Sequence, residues 1–522
     1  MEATKNKKVL FKVRNLKKYF PVKKKSIFSR EGNQYVHANE SISLDIYEGE
    51  TLGLVGESGC GKSTFGRTLI QLYEQTGGST LYYGQTLAEL APKYAENVIK
   101  NMPKLFPEYL VAVKDLENLE SKGENLVDME KASNDEQIML KKRELEEKYF
   151  NMLRIAGGLV THKDLNEVSN LLLEEYKEKV VLSKTNREIG LLEHKLNDND
   201  AKVNKADLEG QIKGLKERAL KEKEEVDKVS QKIEALRDKC RDNEYFDFYE
   251  DYSDEGIDLS ELTTDEMREL RKDLQMIFQD PYSSLDTKMT VGNIIGEGVL
   301  AHQMFKSNKS DEYNNYIQGV MEQCGLAPYF IHRYPHQFSG GQRQRIGIAR
   351  ALALQPKFIV CDEAVSALDV SIQSQIINLL QDLKEENGLT YLFITHDLSV
   401  VKYISDRIGV MYLGNLVELS DSEKLFRKPL HPYTNALMAA IPRTDLGQDQ
   451  ELAILEGDIP SAVNPPKGCK FHTRCKYAMD VCSQFEPEFK EEEEGHFVAC
   501  HLYNMTEEER TKYMAEVDAR EK

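Results

Sequence analysis

What this 522-residue chain lacks narrows its function before any motif is read. No stretch approaches the roughly 20 consecutive apolar residues that crossing a bilayer requires, and the polar, basic start Met1–Lys8 has no apolar segment behind it. A chain that stays in the cytosol and meets a membrane only through a partner is therefore expected. Basic residues are outnumbered, 69 Lys and Arg against 88 Asp and Glu, for a net charge of −19. That balance argues against a primary nucleic-acid binder, because phosphate backbones select clustered Lys and Arg. Cysteine is scarce at eight residues, too few for a disulfide scaffold in so long a chain, and cytosolic thiols are kept reduced. The apolar fraction, 40%, is by contrast ordinary for a protein that buries a real core, and the length allows two or three domains.

Residues 42 to 55, Ile42-Ser-Leu-Asp-Ile-Tyr-Glu-Gly-Glu-Thr-Leu-Gly-Leu-Val55, alternate and then become continuously apolar, as an edge strand followed by a buried strand should. Further buried strands are expected at Phe358–Cys361 and Thr390–Ile394, each preceded by a helical stretch. Alternating strand and helix predicts an α/β fold with a parallel sheet. The middle differs. From about Thr86 to Gly256 the sequence is rich in Lys and Glu, poor in buried-strand patterns, and carries roughly half of the net negative charge. It reads as an insertion, mainly helical. Leu208, Ile212, Leu215, Ala219, Val226, Val229, Ile233 and Leu236 step by threes and fours with one gap at Glu222, and Leu165, Val168, Leu172, Leu182, Ile189 and Leu196 keep a looser beat upstream. With Asn197-Asp-Asn-Asp200 as a turn, this predicts a helical hairpin forming an antiparallel coiled coil over 162–240, since two such stripes can bury each other. The acidic stretch Asp242–Asp258 is expected to be a loop.

Gly56-Glu-Ser-Gly-Cys-Gly-Lys-Ser63 matches G-x-x-x-x-G-K-S between an expected strand and an expected helix, the context that motif needs. The glycines let backbone N–H groups curl around phosphate, the helix N-terminus adds its dipole, Lys62 reaches the β- and γ-phosphates, and Ser63 is placed to ligate Mg²⁺. Phe358-Ile-Val-Cys-Asp362-Glu363 supplies an apolar strand ending in two carboxylates, Asp362 suited to hold Mg²⁺ and Glu363 to polarise the attacking water. Carboxylates at the end of a buried strand need such partners.

The segment Phe338-Ser-Gly-Gly-Gln-Arg-Gln-Arg-Ile-Gly-Ile-Ala-Arg-Ala351 closely resembles the signature of ABC ATPases. Other elements of that family follow its order: Gln279 in Met276-Ile-Phe-Gln-Asp-Pro281 as the Q-loop, Ser366-Ala-Leu-Asp369 as the D-loop, and His396 in Ile394-Thr-His-Asp-Leu398 as the switch histidine. The resemblance implies a P-loop ABC ATPase domain with a parallel-sheet core, an antiparallel β-subdomain and a helical signature subdomain. It implies Glu363, His396 and Gln279 as catalytic residues, with Ser63, Gln279 and Asp362 about Mg²⁺. ATP would be touched by Gly56, Ser58, Gly59, Gly61, Lys62, Ser63 and Thr64. Two such domains pair head to tail in the family, so Ser339, Gly341, Gln342 and Asp369 would face the nucleotide held by the partner. Tyr19, in Leu16-Lys-Lys-Tyr-Phe20, sits where the family places an adenine-stacking aromatic, a place that the neighbouring Phe20 could also fill.

Phe278-Gln-Asp-Pro-Tyr-Ser-Ser-Leu285, Ala364-Val-Ser-Ala-Leu-Asp-Val-Ser-Ile-Gln373, Met411-Tyr-Leu-Gly-Asn-Leu-Val-Glu418 and Pro429-Leu-His-Pro-Tyr-Thr434 are similar to oligopeptide and dipeptide importer ATPases, of the type usually encoded second of a pair. One departure is Ala364, where relatives commonly carry Pro after the catalytic Glu. That family implies uptake of oligopeptides or dipeptides, with two transmembrane permease subunits, a second and different ABC ATPase, and an extracytoplasmic substrate-binding protein. The chain itself would lie at the cytoplasmic face of the cell membrane. Its C-terminal extension is associated with a [4Fe–4S] cluster, for which Cys469, Cys475, Cys482 and Cys500 are the candidates. Tetrahedral zinc and unligated or disulfide-linked thiols are the other readings of those four.

The expected organisation is an ABC ATPase domain over 8–85 and 257–424, the insertion 86–256, a peptide-importer extension 425–505 and a polar tail 506–522. Import of another solute such as a metal chelate remains open. A chromosome-maintenance ATPase of the SMC or DNA-repair type shares the signature and an inserted coiled coil, but its insertion follows the Q-loop, whereas this one ends before Gln279. Soluble ABC factors acting on ribosomes normally carry two cassettes, and one is present here.

Overall fold

The computed structural model describes residues 7–22, 34–123, 128–197, 205–439 and 457–520, in two compact units. The first comprises Met1–Thr80 and Met267–Lys522, the second Leu81–Glu266.

The strands, in chain order, are β1 (Val9–Pro21), β2 (Tyr35–Tyr47), β3 (Thr51–Val55), β4 (Gly77–Tyr82), β5 (Ile257–Asp258), β6 (Leu274–Ile277), β7 (Phe358–Asp362), β8 (Thr390–Ile394), β9 (Arg407–Tyr412), β10 (Asn415–Asp421), β11 (Phe489–Glu493) and β12 (His496–Ala499). In the first unit eight strands form one sheet in the order β11-β12-β10-β9-β3-β8-β7-β6. From β9 to β6 all neighbours are parallel, and β10, β12 and β11 then add antiparallel. β3, β7 and β8 are buried along their whole length, as continuous apolar runs covered on both faces must be. The expected strands at 42–55, 358–361 and 390–394 fall within β2 and β3, β7 and β8. β1 and β2 pair as an antiparallel ribbon.

Because β3, β7 and β8 are adjacent and parallel, their C-terminal ends, and the loops leaving them, converge on one edge of the sheet. That edge is where ligands bind in open α/β sheets. Helix α1 (Lys62–Leu69) follows β3, α2 (Gly340–Leu352) carries the segment that resembles the signature, and α3 (Val370–Asn387) follows β7. A core of Ile294, Ile295, Ile317, Met321, Ile346 and their neighbours ties α2 to the helices Val291–Ala301 and Asp311–Gln323.

The C-terminal extension joins the main sheet through β12, which pairs with β10. Glu418 of β10 is fully buried there, accepting from the backbone N–H groups of Leu430 and His431 at 2.7 and 2.9 Å, with His496 Nε2 2.7 Å away. The polar tail carries a helix, Glu507–Arg520, started by Thr506 and Glu509 bonding each other's backbone.

The second unit is dominated by the helices Lys93–Gly123, Asp128–Ala156, Leu165–Asn197 and Lys205–Cys240. The last two lie antiparallel, with Ser230 bonded to Glu175 at 2.5 Å and Lys216 paired with Glu193 at 2.7 Å. Ile212, Val226, Val229, Ile233 and Leu236 are buried along this seam. The proposed turn at 197–200 falls outside the described residues from Asp198 onward. The acidic stretch 242–258 departs from the expected loop: it holds a helical turn, Phe246–Glu250, and the short β5. Burial decides this, because Phe246 and Tyr249 enter the unit's core, where Tyr249 meets Phe106 at 5.5 Å, and Ile257 is fully buried.

Arg154, 1% exposed, anchors that stretch. It donates to Asn151, to the carbonyls of Asp254 and Gly256, and to the Tyr94 hydroxyl, all within 3.0 Å. Arg154→Met is expected to lower the unit's stability by about 3 kcal/mol, because buried carbonyls lose their donor. The denaturant midpoint should fall accordingly, and an unchanged midpoint would remove Arg154 from this role.

Candidate functional site

β3 ends at Val55 and the chain turns through Gly56 (φ +150°), Gly59 (φ +81°) and Gly61 (φ +99°) into α1. The turn is crowded at two of these places. A Cβ on Gly56 would lie 2.2 Å from the Met411 carbonyl oxygen, and one on Gly61 2.1 Å from that of Ala38. Lys62 is 4% exposed and donates to the carbonyls of Gly56 and Glu57 at 2.8 and 3.1 Å, so its ammonium lies inside the loop. Ser58 and Gly59 are exposed on the loop, and Ser63 and Thr64 are half-buried in the first turn of α1.

The end of β7 meets this loop. Asp362, fully buried, accepts from the Ser63 hydroxyl at 2.5 Å and from Arg67 at 3.2 Å. Next to it Glu363 takes a left-handed backbone (φ +47°), its N–H donating to the Ile394 carbonyl at the end of β8 at 2.9 Å. That conformation is strained for a residue with a Cβ. It brings the Glu363 carboxylate 2.6 Å from Gln279 Nε2 and 3.5 Å from His396 Nδ1. Lys62, Ser63, Asp362, Glu363, Gln279 and His396 thus form one group, drawn from segments up to about 330 residues apart along the chain.

The signature residues form a second group. Ser339 caps α2, its hydroxyl accepting from the Gln342 N–H at 3.4 Å while the Gln342 side chain bonds back to Ser339 N–H at 3.1 Å. Asp369 caps α3 through the Ile372 N–H at 3.1 Å. The bonds to Ser371 and Ile372 hold its carboxyl below the usual range. A Cβ on Gly341 would lie 2.5 Å from Ile372 Cγ2, so the two helix starts lie side by side. Arg343 and Arg350 of α2 return to the segment after Gln279. Arg343 stacks 3.8 Å over Tyr282, and Arg350 donates to the Ser284 carbonyl at 2.7 Å.

Tyr19 is half-buried on β1, its hydroxyl 2.5 Å from a Glu40 oxygen and its ring 4.4 Å from that of His37 on β2. β2 also touches the phosphate loop, through Asn39 to the Gly61 carbonyl at 3.1 Å. Phe20 packs instead against Tyr73.

Sequence reasoning did not find Arg67, which holds Asp362, nor Arg474 and Tyr433, which hold Glu57. Arg67 lies one helical turn beyond Ser63, a spacing that could have suggested it.

The four C-terminal cysteines are neighbours. The Cys469 N–H donates to the Cys482 carbonyl at 2.8 Å. Burial pushes the thiols of Cys469 and Cys475 up to about 11 and 12, and that of Cys500 higher, with the neighbouring thiols adding to each. Their side chains do not form the expected ligand cage as they stand: among the described residues no three His, Cys, Asp or Glu side chains are arranged to hold a metal ion. Uncharged thiols pack by burial, and only a cation offsets the repulsion of several thiolates.

Residues 39–244 and 247–366, more than half of the chain, match the model of the ABC transporter family. The chain belongs to the ABC transporter family. Residues 417–482 of this ABC ATPase match the C-terminal region of oligopeptide/dipeptide transporters. The ABC ATPase is 53% identical over 252 residues to the oligopeptide transport ATP-binding protein AppF of Bacillus subtilis, spanning 48% of this chain and 76% of that one. Over 254 residues it is 54% identical to the putative oligopeptide transport ATP-binding protein YkfD of the same organism, 48% of this chain and 77% of that one. With the oligopeptide transport ATP-binding protein OppF of Haemophilus influenzae it shares 51% identity over 247 residues, 47% of this chain and 74% of that one.

Proposed function

We propose that this chain is the ATP-hydrolysing subunit that energises uptake of oligopeptides or dipeptides through an ABC importer, working at the cytoplasmic face of the membrane. The contact of one carboxylate, Glu363, with both Gln279 and His396 beside the phosphate loop carries the hydrolytic part of this reading. The match of residues 417–482 supports the peptide part. Among the described residues no helix is long and apolar enough to cross a membrane, so the pathway for solute would belong to partners.

In the mechanism, Lys62 and the loop N–H groups bind the β- and γ-phosphates, and Tyr19 stacks on the adenine. The oxygens of Ser63 and Asp362, 2.5 Å apart, suit a hard cation, and Mg²⁺ there would neutralise phosphate charge. Glu363 orients and polarises the attacking water while Gln279 and His396 fix its carboxylate. Ser339, Gly341, Gln342 and Asp369, on the adjacent starts of α2 and α3, close over the nucleotide of a second, different ATPase. Closure reaches the two permeases through the Gln279 segment, which Arg343 and Arg350 tie to α2.

The thiols of Cys469, Cys475, Cys482 and Cys500 are soft donors of the kind a [4Fe–4S] cluster takes, and they would have to turn toward one another to hold it. Bound there, a cluster would brace the extension. The paired helices Leu165–Asn197 and Lys205–Cys240 are read as an antiparallel coiled coil, and the insertion 86–256 as an appendage dispensable for nucleotide binding.

Anaerobic affinity purification of the tagged protein from its native membrane tests the whole reading. Two multi-spanning permeases and a second ABC ATPase are expected to co-purify with a brown preparation. Recovery of DNA-maintenance proteins or ribosomes would overturn the transport role, and a colourless, iron-free preparation the cluster. Replacement of Thr86–Gly256 by a short linker is expected to leave ATP binding intact, and its loss would show the insertion to be part of the folding unit.

A further inference from the structure

We infer that Arg474 is a positioning residue for the phosphate loop, through which the C-terminal extension sets the chain's affinity for ATP. The inference rests on reading that loop as the ATP site.

Glu57, the second residue of the loop, is held at every polar group. Its N–H donates to the Tyr433 hydroxyl at 2.9 Å, and its carbonyl accepts from Lys62 at 3.1 Å. Both carboxylate oxygens accept from Arg474, at 2.7 and 3.1 Å, in a two-pronged pair. The Arg474 side chain is only 4% exposed and that of Glu57 22%, so the pair is shielded from solvent. Such forked, charge-assisted bonds fix geometry as well as adding energy.

Arg474 is itself braced. Nη1 lies 3.5 Å from the Tyr412 hydroxyl, and three residues earlier Phe471 packs on Tyr412 and Tyr433 at 5.2 and 5.3 Å between ring centres. Those rings share a core with Val55, the last residue before the loop. The extension also reaches β2, where the Ala462 carbonyl accepts from the His37 N–H at 2.9 Å beside Tyr19.

The sign follows from charge. A carboxylate in a loop that wraps phosphate repels the ligand unless a cation compensates it. Arg474 supplies that cation and holds the carboxylate turned toward itself. Removing it leaves an unpaired, partly buried anion beside the phosphates.

The test is binding of a fluorescent ATP analogue with Mg²⁺ to the full chain. Arg474→Ala is expected to weaken binding on the order of tenfold, and Arg474→Ala combined with Glu57→Gln to bind severalfold more tightly than Arg474→Ala alone, because the uncompensated charge is gone. A role confined to folding would lower the unfolding midpoint in both variants without that recovery. If Arg474→Ala does not fold, Arg474→Gln, which keeps most of the stem, takes its place with the same expectation. A folded variant that binds like the wild type, or a double variant as weak as the single, overturns the inference. A wild-type chain that does not bind the analogue overturns instead the reading of the loop as the ATP site.

Discussion

Glu363→Gln is expected to reduce ATP turnover about a thousandfold, the scale of losing a group that orients and polarises the nucleophile, while ATP binding persists. The amide keeps the size of the carboxylate, so β7, the Ser63–Asp362 contact and the Lys62 cradle stay in place. What is lost is the negative charge 2.6 Å from Gln279 and 3.5 Å from His396. Because hydrolysis would no longer reopen the proposed pair with a second ATPase, the variant mixed with that partner should accumulate as a nucleotide-bound complex on gel filtration with ATP. Steady-state turnover near the wild-type rate would remove Glu363 from the catalytic role, leaving the phosphate loop untouched as a binding site.

Gly61→Ala is expected to abolish measurable nucleotide binding, a loss on the order of a hundredfold or more, through two effects acting at one carbon. The backbone is left-handed at φ +99°, and the new methyl would sit 2.1 Å from the Ala38 carbonyl oxygen and 2.9 Å from Asn39 Nδ2. Both neighbours belong to β2, so either the loop or the strand must move. Gly59→Ala is the control. It is also left-handed, φ +81°, but has nothing within 4 Å of the added carbon. Only the conformational cost of about 1–2 kcal/mol remains there, and binding should survive in weakened form. Equal binding by the two variants, read by titration with a fluorescent ATP analogue, would show that crowding against β2 does not shape the loop.

The residues of the proposed site stand out in the sequence because a phosphate-binding loop constrains residue type and spacing together. Gly56 to Ser63 needs glycines where backbone must curl, and Asp362-Glu363 needs an apolar run before it. The seam of the helix Lys205–Cys240 was legible for the same reason: one buried face repeats every three or four residues. On the helix Leu165–Asn197 the beat was blurred because Thr185 is buried and Glu175 bonds Ser230, polar residues that an apolar pattern passes over. Likewise Phe246 and Tyr249 are set among acidic residues, and that local charge says nothing about the core waiting for their rings.

Sequence alone carried the proposed chemistry, naming the residues that would cradle a phosphate, hold Mg²⁺ and polarise water, and it determined that the strands bearing them are buried and parallel. It determined this because each such task is met by a short segment whose residues are contiguous or evenly spaced. Tertiary structure decided what lies beside those segments. The sheet order sets β9 beside β3 and carries β10 and β12 outward from it, and the extension that follows folds back until Arg474 pairs with Glu57, 417 positions earlier in the chain. No local spacing encodes such a pair, since it exists only once the strands between have chosen their neighbours and the rings of Tyr412, Tyr433 and Phe471 have been buried together.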